Sequence, residues 1–270
     1  MINSVVCLKE VPDTADAKID PKTGNLIREG IPSIINPYDI HGVEEAIRIK
    51  EKFGGRVIII CMGPQKAKNS VKKALGLGAD LGILVSDRAF GGSDTLATSY
   101  ILSAAIKKLM QEHPIDLIFC GKQAIDGDTA QVGPGIAARL GIAQLTYVTE
   151  ITSLDPEEKK IQVIRKLEGG RECLTAKLPA LVTVEKSINE VRYASFPDML
   201  KAAGTEIQIW DKSRLDLDES QIGIKGSPTT VSKIFTPPPK KGGQVHTGAP
   251  QDLVKELVNT LFNRVLVMDR

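Results

Sequence analysis

Four short runs of β-branched and aliphatic residues, at 2–8, 56–62, 81–86 and 115–121, constrain the fold of this chain more than any other feature. They are continuously apolar instead of alternating, the pattern of parallel strands buried on both faces. Stretches with helical periodicity separate them at 43–53, 67–76 and 96–112, and another at 131–140 follows the fourth run. This alternation predicts an α/β protein with a doubly wound, mainly parallel sheet. Glu44 and Glu45 near the start of the first helix, Arg48, Lys50 and Lys52 near its end, and Gly54-Gly55 after it suit the helix macrodipole and a left-handed cap. Ligands of such sheets sit beyond the carboxyl ends of the strands, an edge that here comprises 8–13, 62–65, 87–95 and 121–129.

From residue 146 the pattern changes to strand-like runs at 146–153, 161–167, 171–178 and 180–185, with EGGRE at 168–172 as a hairpin turn. A short helix at 196–203 and a strand at 206–210 follow. Weak periodicity then leads to Pro237-Pro238-Pro239-Lys240-Lys241-Gly242-Gly243, an expected extended linker, and to a final helical pattern at 251–264. The expected organisation is an α/β domain over 1–210 with an added β-hairpin region, then an extended C-terminal tail over 211–270. That tail buries little by itself, so it either wraps a partner or stays loose.

Thirty-five basic and thirty-three acidic residues leave a net charge of +2, too balanced for a nucleic-acid-binding surface. No run approaches the roughly 18 apolar residues that span a bilayer, and the first residues lack the basic region of a secretory signal. The expectations are no nucleic acid, no membrane insertion and a cytoplasmic location. Cys7, Cys61, Cys120 and Cys173 form no C-x-x-C pair and read as small buried hydrophobes. His41, His113 and His246 lack ligand spacing, so no metal site is expected.

Three segments carry candidate chemistry. Gly121-Lys122-Gln123-Ala124-Ile125-Asp126-Gly127-Asp128-Thr129-Ala130-Gln131-Val132-Gly133 follows a buried strand and opens a helix, where free backbone N–H groups could cradle a phosphate. Asp126 and Asp128 are awkward there, because carboxylates repel phosphate unless they cap the helix or accept from ribose. A capped helix without a ligand is the alternative. In Phe90-Gly91-Gly92-Ser93-Asp94-Thr95, continuing to Thr98, two glycines allow close backbone approach, and Ser93, Asp94 or Thr95 could cap the third helix or bond a pyrophosphate. Asn36-Pro37-Tyr38-Asp39 offers polar atoms that could read an adenine or ribose at the entry to the first helix. There is no convincing catalytic constellation, which suits a carrier better than a hydrolase.

Together CLKEVPDT, INPYDIHGVEEAIRIKE, CMGP, GADLGI, GKQAIDGDTAQVG and VIRKLEGGRECLTAKLPALVTVEKSINEVRYASFPDMLKA resemble the β subunit of electron-transfer flavoproteins over nearly the whole chain. The resemblance implies a Rossmann-like core, an adenine-nucleotide site, and an obligate larger α subunit that carries the main FAD and on which the C-terminal arm packs. It maps nucleotide contacts onto Cys7, Asn36 to Asp39, Met62, and Gly121 to Val132. It also makes residues 192–204 a recognition loop for dehydrogenases, with Tyr193, Phe196, Met199 and Leu200 as docking side chains.

Simple members of that family hold AMP in this subunit, whereas electron-bifurcating members hold a second FAD and oxidise NADH there. FGGSDTLATS, which supplies Gly91, Gly92, Ser93, Asp94, Thr95 and Thr98, resembles the bifurcating branch. The implied function is relay of electrons from NADH to an acyl-CoA dehydrogenase-type enzyme and to a low-potential acceptor, ferredoxin or flavodoxin. A rival from another class is a universal-stress-type adenine-nucleotide-binding regulatory protein, which would lack the hairpin region and the tail.

Overall fold

The computed structural model describes residues 1–13, 18–19, 26–27, 32–229, 242–243 and 245–268. In chain order the strands are β1 (Ser4–Leu8), β2 (Glu10–Pro12), β3 (Lys18–Ile19), β4 (Leu26–Ile27), β5 (Ser33–Ile35), β6 (Val57–Met62), β7 (Leu81–Val85), β8 (Leu117–Gly121), β9 (Ala143–Asp155), β10 (Lys160–Leu167), β11 (Gly170–Lys177), β12 (Ala180–Val184) and β13 (Gln208–Trp210). The helices are α1 (Asp39–Phe53), α2 (Lys68–Gly76), α3 (Thr95–Glu112), α4 (Val132–Leu140), α5 (Phe196–Gly204) and α6 (Pro250–Met268).

A nine-stranded sheet runs in the order β11-β10-β9-β12-β8-β1-β6-β7-β13. Pairing is parallel from β9 across to β13, and antiparallel only where β9, β10 and β11 form the hairpin region. The central runs are continuously apolar because each strand feeds two cores. In β1, Val6 and Leu8 join α1 and α2 through Val43, Ile47, Val71 and Ala74, while Val5 and Cys7 join α3 and α4 through Ile101, Ile106 and Ile136. Alternate side chains point to opposite faces, so a run without polar residues is what two helical layers demand. From β1 the chain winds outward through β6 and β7 on one side, and β8 and β12 occupy the other. The strand order therefore reverses between β1 and β8.

The α/β, mainly parallel architecture expected from the sequence is the one observed. Helix α1 ends at its two glycines, both at positive φ (Gly54 71°, Gly55 118°), but with ψ 174° Gly54 lies outside the left-handed helical cap expected there. A side chain at Gly55 would meet the Ile2 carbonyl oxygen at 2.0 Å. The EGGRE turn is a two-residue hairpin, since Leu167 pairs with Gly170 and Gly169 takes φ 78°. Cys173 corrects the expectation of buried thiols: Cys7, Cys61 and Cys120 are buried but Cys173 is exposed. It lies on β11, an edge strand whose alternate residues Leu174 and Ala176 face the core and turn Cys173 outward.

Two compact units divide the chain, Met1–Lys233 and Ile234–Arg270. Leu215 and Ile222, beyond the expected domain end at 210, are buried in the first unit's core. In the second unit α6 exposes Val254, Leu257, Val258, Leu261 and Phe262. Most of the Pro-rich linker, 237–241, lies outside the described residues. Among the described residues no helix is long and apolar enough to cross a membrane.

Candidate nucleotide cleft

A cleft of about 310 Å³ opens at the carboxyl ends of β1, β6 and β8. This is the reversal point of the strand order, where doubly wound sheets bind ligands. It brings together Cys7, Asn36, Asp39, Met62, Ser93, Asp94, Thr95, Thr98, Gly121, Lys122, Gln123, Ala124, Gly127, Thr129, Ala130, Gln131 and Val132. Pro37, Tyr38, Gly91, Gly92, Ile125, Asp126 and Asp128 do not line it. Leu8 and Lys9, on the expected binding edge, and Gly133, at the end of the cradle segment, line it too, as do Leu102 and Cys120, which the sequence reading did not single out.

Two helix starts face this cleft and differ in how they are finished. At α3, Asp94 stands in extended conformation and its Oδ1 accepts from Leu96 N at 2.9 Å and Ala97 N at 3.0 Å. Its Oδ2 accepts from Thr229 N at 3.1 Å and Thr229 Oγ1 at 2.7 Å. Partial burial pushes this carboxyl up, but the bonds from Thr229, Ala97 and Leu96 outweigh it and hold the group below its ordinary value. The free N–H groups that open α3 are thus answered by a carboxylate of the chain itself.

At α4 the residue before the helix is Gln131, with φ −99° and ψ −26°, and no side chain caps the first turn. The N–H groups of Val132 and Gly133 have no partner inside the helix, and Pro134 contributes none. Gly133 is fixed by packing, since a Cβ there would come within 2.7 Å of Thr183 Cγ2. The loop into α4 is strained at two non-glycine residues, Asp128 at φ 51° and Ala130 at φ 55°. Such conformations cost on the order of 1 kcal/mol each and persist where the surroundings enforce them.

The two awkward carboxylates are answered by the protein. Lys9 Nζ reaches both oxygens of Asp126 at 2.8 Å, and Gln123 Nε2 donates to Asp128 Oδ1 at 2.7 Å. Lys9 thereby brings a cation to the wall of the cleft. Thr95 Oγ1 donates to Gln131 Oε1 at 2.8 Å and ties the two helix starts together.

Asn36 and Asp39 spend their polar atoms on the chain. Asn36 Nδ2 donates to Gln123 O at 2.8 Å and its Oδ1 accepts from Ile125 N at 3.2 Å, which clamps the cradle loop. Asp39 Oδ2 accepts from Lys9 N at 2.7 Å and Oδ1 from Gly121 N at 2.9 Å. Burial pushes the Asp39 carboxyl up to about 6, against these bonds, Asn36 and the Lys9 charge. A hydrogen bond with Cys7, together with burial, drives the Cys120 thiol well above its ordinary value, and burial takes Cys61 up to about 12. The Cys61 and Cys120 thiols therefore stay protonated; Cys120 lines the cleft as weakly polar surface, whereas Cys61 is buried in the core.

Gly92 serves a neighbouring segment. It adopts φ 75°, and a Cβ there would lie 2.5 Å from Ile224 Cγ1. Ser227 Oγ accepts from Asp94 N at 2.8 Å, and Gly223 N donates to Ser93 Oγ at 3.1 Å. The Gly91-Gly92-Ser93-Asp94 loop is therefore a seat for residues 223–229.

The cleft thus combines the sheet's reversal point, an uncapped helix start and Lys9, whose charge is paired with Asp126. The electron transfer flavoprotein domain matches residues 23–215 of this chain. The chain belongs to the electron transfer flavoprotein family. It is 49% identical over 268 residues to Protein FixA of Azotobacter vinelandii, covering 97% of this chain and 95% of that one. It is 49% identical over 244 residues to the electron transfer flavoprotein subunit beta of Clostridium acetobutylicum, covering 90% and 92%. The subunit beta of Thermoanaerobacterium thermosaccharolyticum is 46% identical over 267 residues, with 98% and 100% covered.

A second surface feature stands apart from the cleft. Helix α5 begins with Ser195 as its cap and leaves Tyr193 99%, Phe196 73%, Met199 48% and Leu200 66% exposed. The segment is anchored from behind. Arg192 Nε donates to Glu44 Oε2 at 2.9 Å, and its guanidinium also pairs with Glu51. Glu44 is nearly fully buried, and although burial raises its carboxyl, Arg192 and Arg48 bring it below the ordinary value. Sequence reasoning missed Arg192 because its partners lie more than a hundred residues away.

Proposed function

We propose that this chain is the small subunit of a two-subunit electron carrier and binds FAD in the cleft, with the phosphates on the start of α4. The observation that carries this reading is the uncapped first turn of α4 beside Lys9, an anion site by its backbone and its charge. FAD, when bound, supplies the capacity to take up two electrons together and release them singly. The residues of the chain position it. Val132 N–H and Gly133 N–H would donate to phosphate oxygens, Lys9, now paired with Asp126, would offset part of their charge, and Leu8, Met62 and Leu102 would exclude water.

In this reading NADH is the electron donor. The electrons leave for the FAD of the larger α subunit and an acyl-CoA dehydrogenase-type partner on one side, and for ferredoxin or flavodoxin on the other. Tyr193, Phe196, Met199 and Leu200 form the docking face for the dehydrogenase, because exposed aromatic and Met side chains supply contact area at low cost. The apolar face of α6 packs on the α subunit, and the assembly works in the cytoplasm.

A second reading is AMP in the same cleft as a structural ligand, without reaction with NADH. The capped start of α3 favours it, because Asp94 leaves no second open helix start for a pyrophosphate. The two are separated by purifying the chain with its larger subunit and counting FAD and AMP per complex. Two FAD per complex and rapid bleaching by NADH support the first reading. One FAD, one AMP and no reaction with NADH support the second, and a complex without a nucleotide in this subunit contradicts both.

A further inference from the structure

We propose that Asp39 is the positioning residue of the phosphate cradle: its buried carboxylate ties the ends of β1 and β8 to the start of α1 and so sets where Lys9 and the cradle loop stand. The inference rests on the nucleotide reading of the cleft and assigns Asp39 a role other than ligand contact. Asp39 is 6% exposed, and each oxygen accepts one backbone N–H, from Lys9 at 2.7 Å and from Gly121 at 2.9 Å. Lys9 directly follows β1 and Gly121 ends β8, the strands that flank the reversal of strand order. Beyond the first, Lys9 Nζ grips Asp126; beyond the second, the chain enters the cradle loop, which Asn36 holds at Gln123 and Ile125. Gly121 makes room for the contact, since a Cβ there would lie 2.3 Å from Asp39 Oδ1.

Two N–H donors converging on two oxygens demand a carboxylate. An amide would turn an NH₂ toward one of them, and a protonated carboxyl would weaken one acceptor. The Asn36 side chain also hydrogen-bonds Asp39, and the charged or titratable groups that face it are Lys9 just after β1, the thiol of Cys61 on β6, and that of Cys120 on β8 bonded to Cys7. The carboxyl titrates at about 6, well above its ordinary 3.8, with burial as the main cause. A folded value above the unfolded one means that the native state binds the proton more tightly. Global stability from this group therefore rises as pH falls through about 6 toward 4, while the grip on the two amides weakens. A residue with only a structural role would move both in the same direction.

The test uses the full chain purified with its larger subunit, wild type and Asp39→Asn, between about pH 8 and about pH 5, a window that spans the titration. Hydrogen-exchange protection of the Lys9 and Gly121 amides, corrected for intrinsic rates, is read together with FAD and AMP retained after gel filtration. In the wild type one of the two amides loses protection and nucleotide affinity weakens about tenfold from pH 7 to pH 5. In D39N one amide is unprotected throughout, the pH step disappears, and affinity is roughly tenfold to a hundredfold weaker. Full protection and full nucleotide content in D39N would overturn the proposal. If D39N does not fold, the wild type decides alone, and a flat profile through the window overturns it. Altered amides with nucleotide fully retained would sink the positioning role and leave the nucleotide reading standing. A complex with no nucleotide in this subunit would sink that reading, and the positioning role with it.

Discussion

The starts of α3 and α4 lie side by side at one cleft, joined by Thr95 and Gln131, yet one is closed and the other open. Both offer the partial positive charge and free N–H groups of a helix N-terminus. At α3 the chain supplies its own anion, Asp94, and uses the glycine loop before it to seat residues 223–229. At α4 it supplies none, places two strained residues before the helix, and brings Lys9 from the far end of the sequence. The segment at 121–133, the foremost candidate in the sequence, leads to the start left uncapped, whereas the glycine loop at 91–94 leads to one that the chain closes itself.

The comparison breaks most sharply if a carboxylate is placed at the open start. Gln131→Glu, assayed in the two-subunit complex, is expected to weaken nucleotide binding roughly tenfold to a hundredfold, because an anion then competes for the same N–H groups. The flavin of the larger subunit should remain. Lys9→Met should weaken binding about tenfold and change its salt dependence, since the Asp126 carboxylate that Lys9 neutralises is then left uncompensated near the ligand. The Lys9–Asp126 pair is partly exposed, so melting experiments should show almost no change in stability.

Asp94→Ala should do the reverse, lowering stability by about 1 kcal/mol as a lost cap does, with nucleotide content unchanged. The pH dependence separates the two starts as well. Asp94 lies below its ordinary value, so its contribution is present above that value and lost only as pH falls through the lower, folded one. Asp39 has already titrated at about 6. Thr95→Val, the mildest change, removes the link between the starts and should cost about 0.5–1.5 kcal/mol or less, since the bond is exposed.

Much of this was legible from local pattern. Runs such as Val57–Met62 are apolar on both faces because two helical layers cover them, so strand, class and binding edge follow together. The caps at Gly54 and Asp94 also follow from residue type. What the sequence hid depends on long-range approach. Lys9 and Asp126 are 117 positions apart, and Arg192 reaches Glu44 across 148. Gly92 reads as room for a ligand, but its space is taken by Ile224, which no local pattern announces. Asn36 and Asp39 line the cleft, but the groups that hold their polar atoms, backbone of distant segments and the Asn36 side chain on Asp39, come into view only in the fold.

The most direct test of the open-start account is amide hydrogen exchange at both helix starts, with nucleotide bound and after it is stripped from the two-subunit complex. The account predicts that nucleotide protects the Val132 and Gly133 amides strongly and leaves Leu96 and Ala97, already held by Asp94, unchanged. Protection gained at Leu96 and Ala97 with none at Val132 and Gly133 would contradict it.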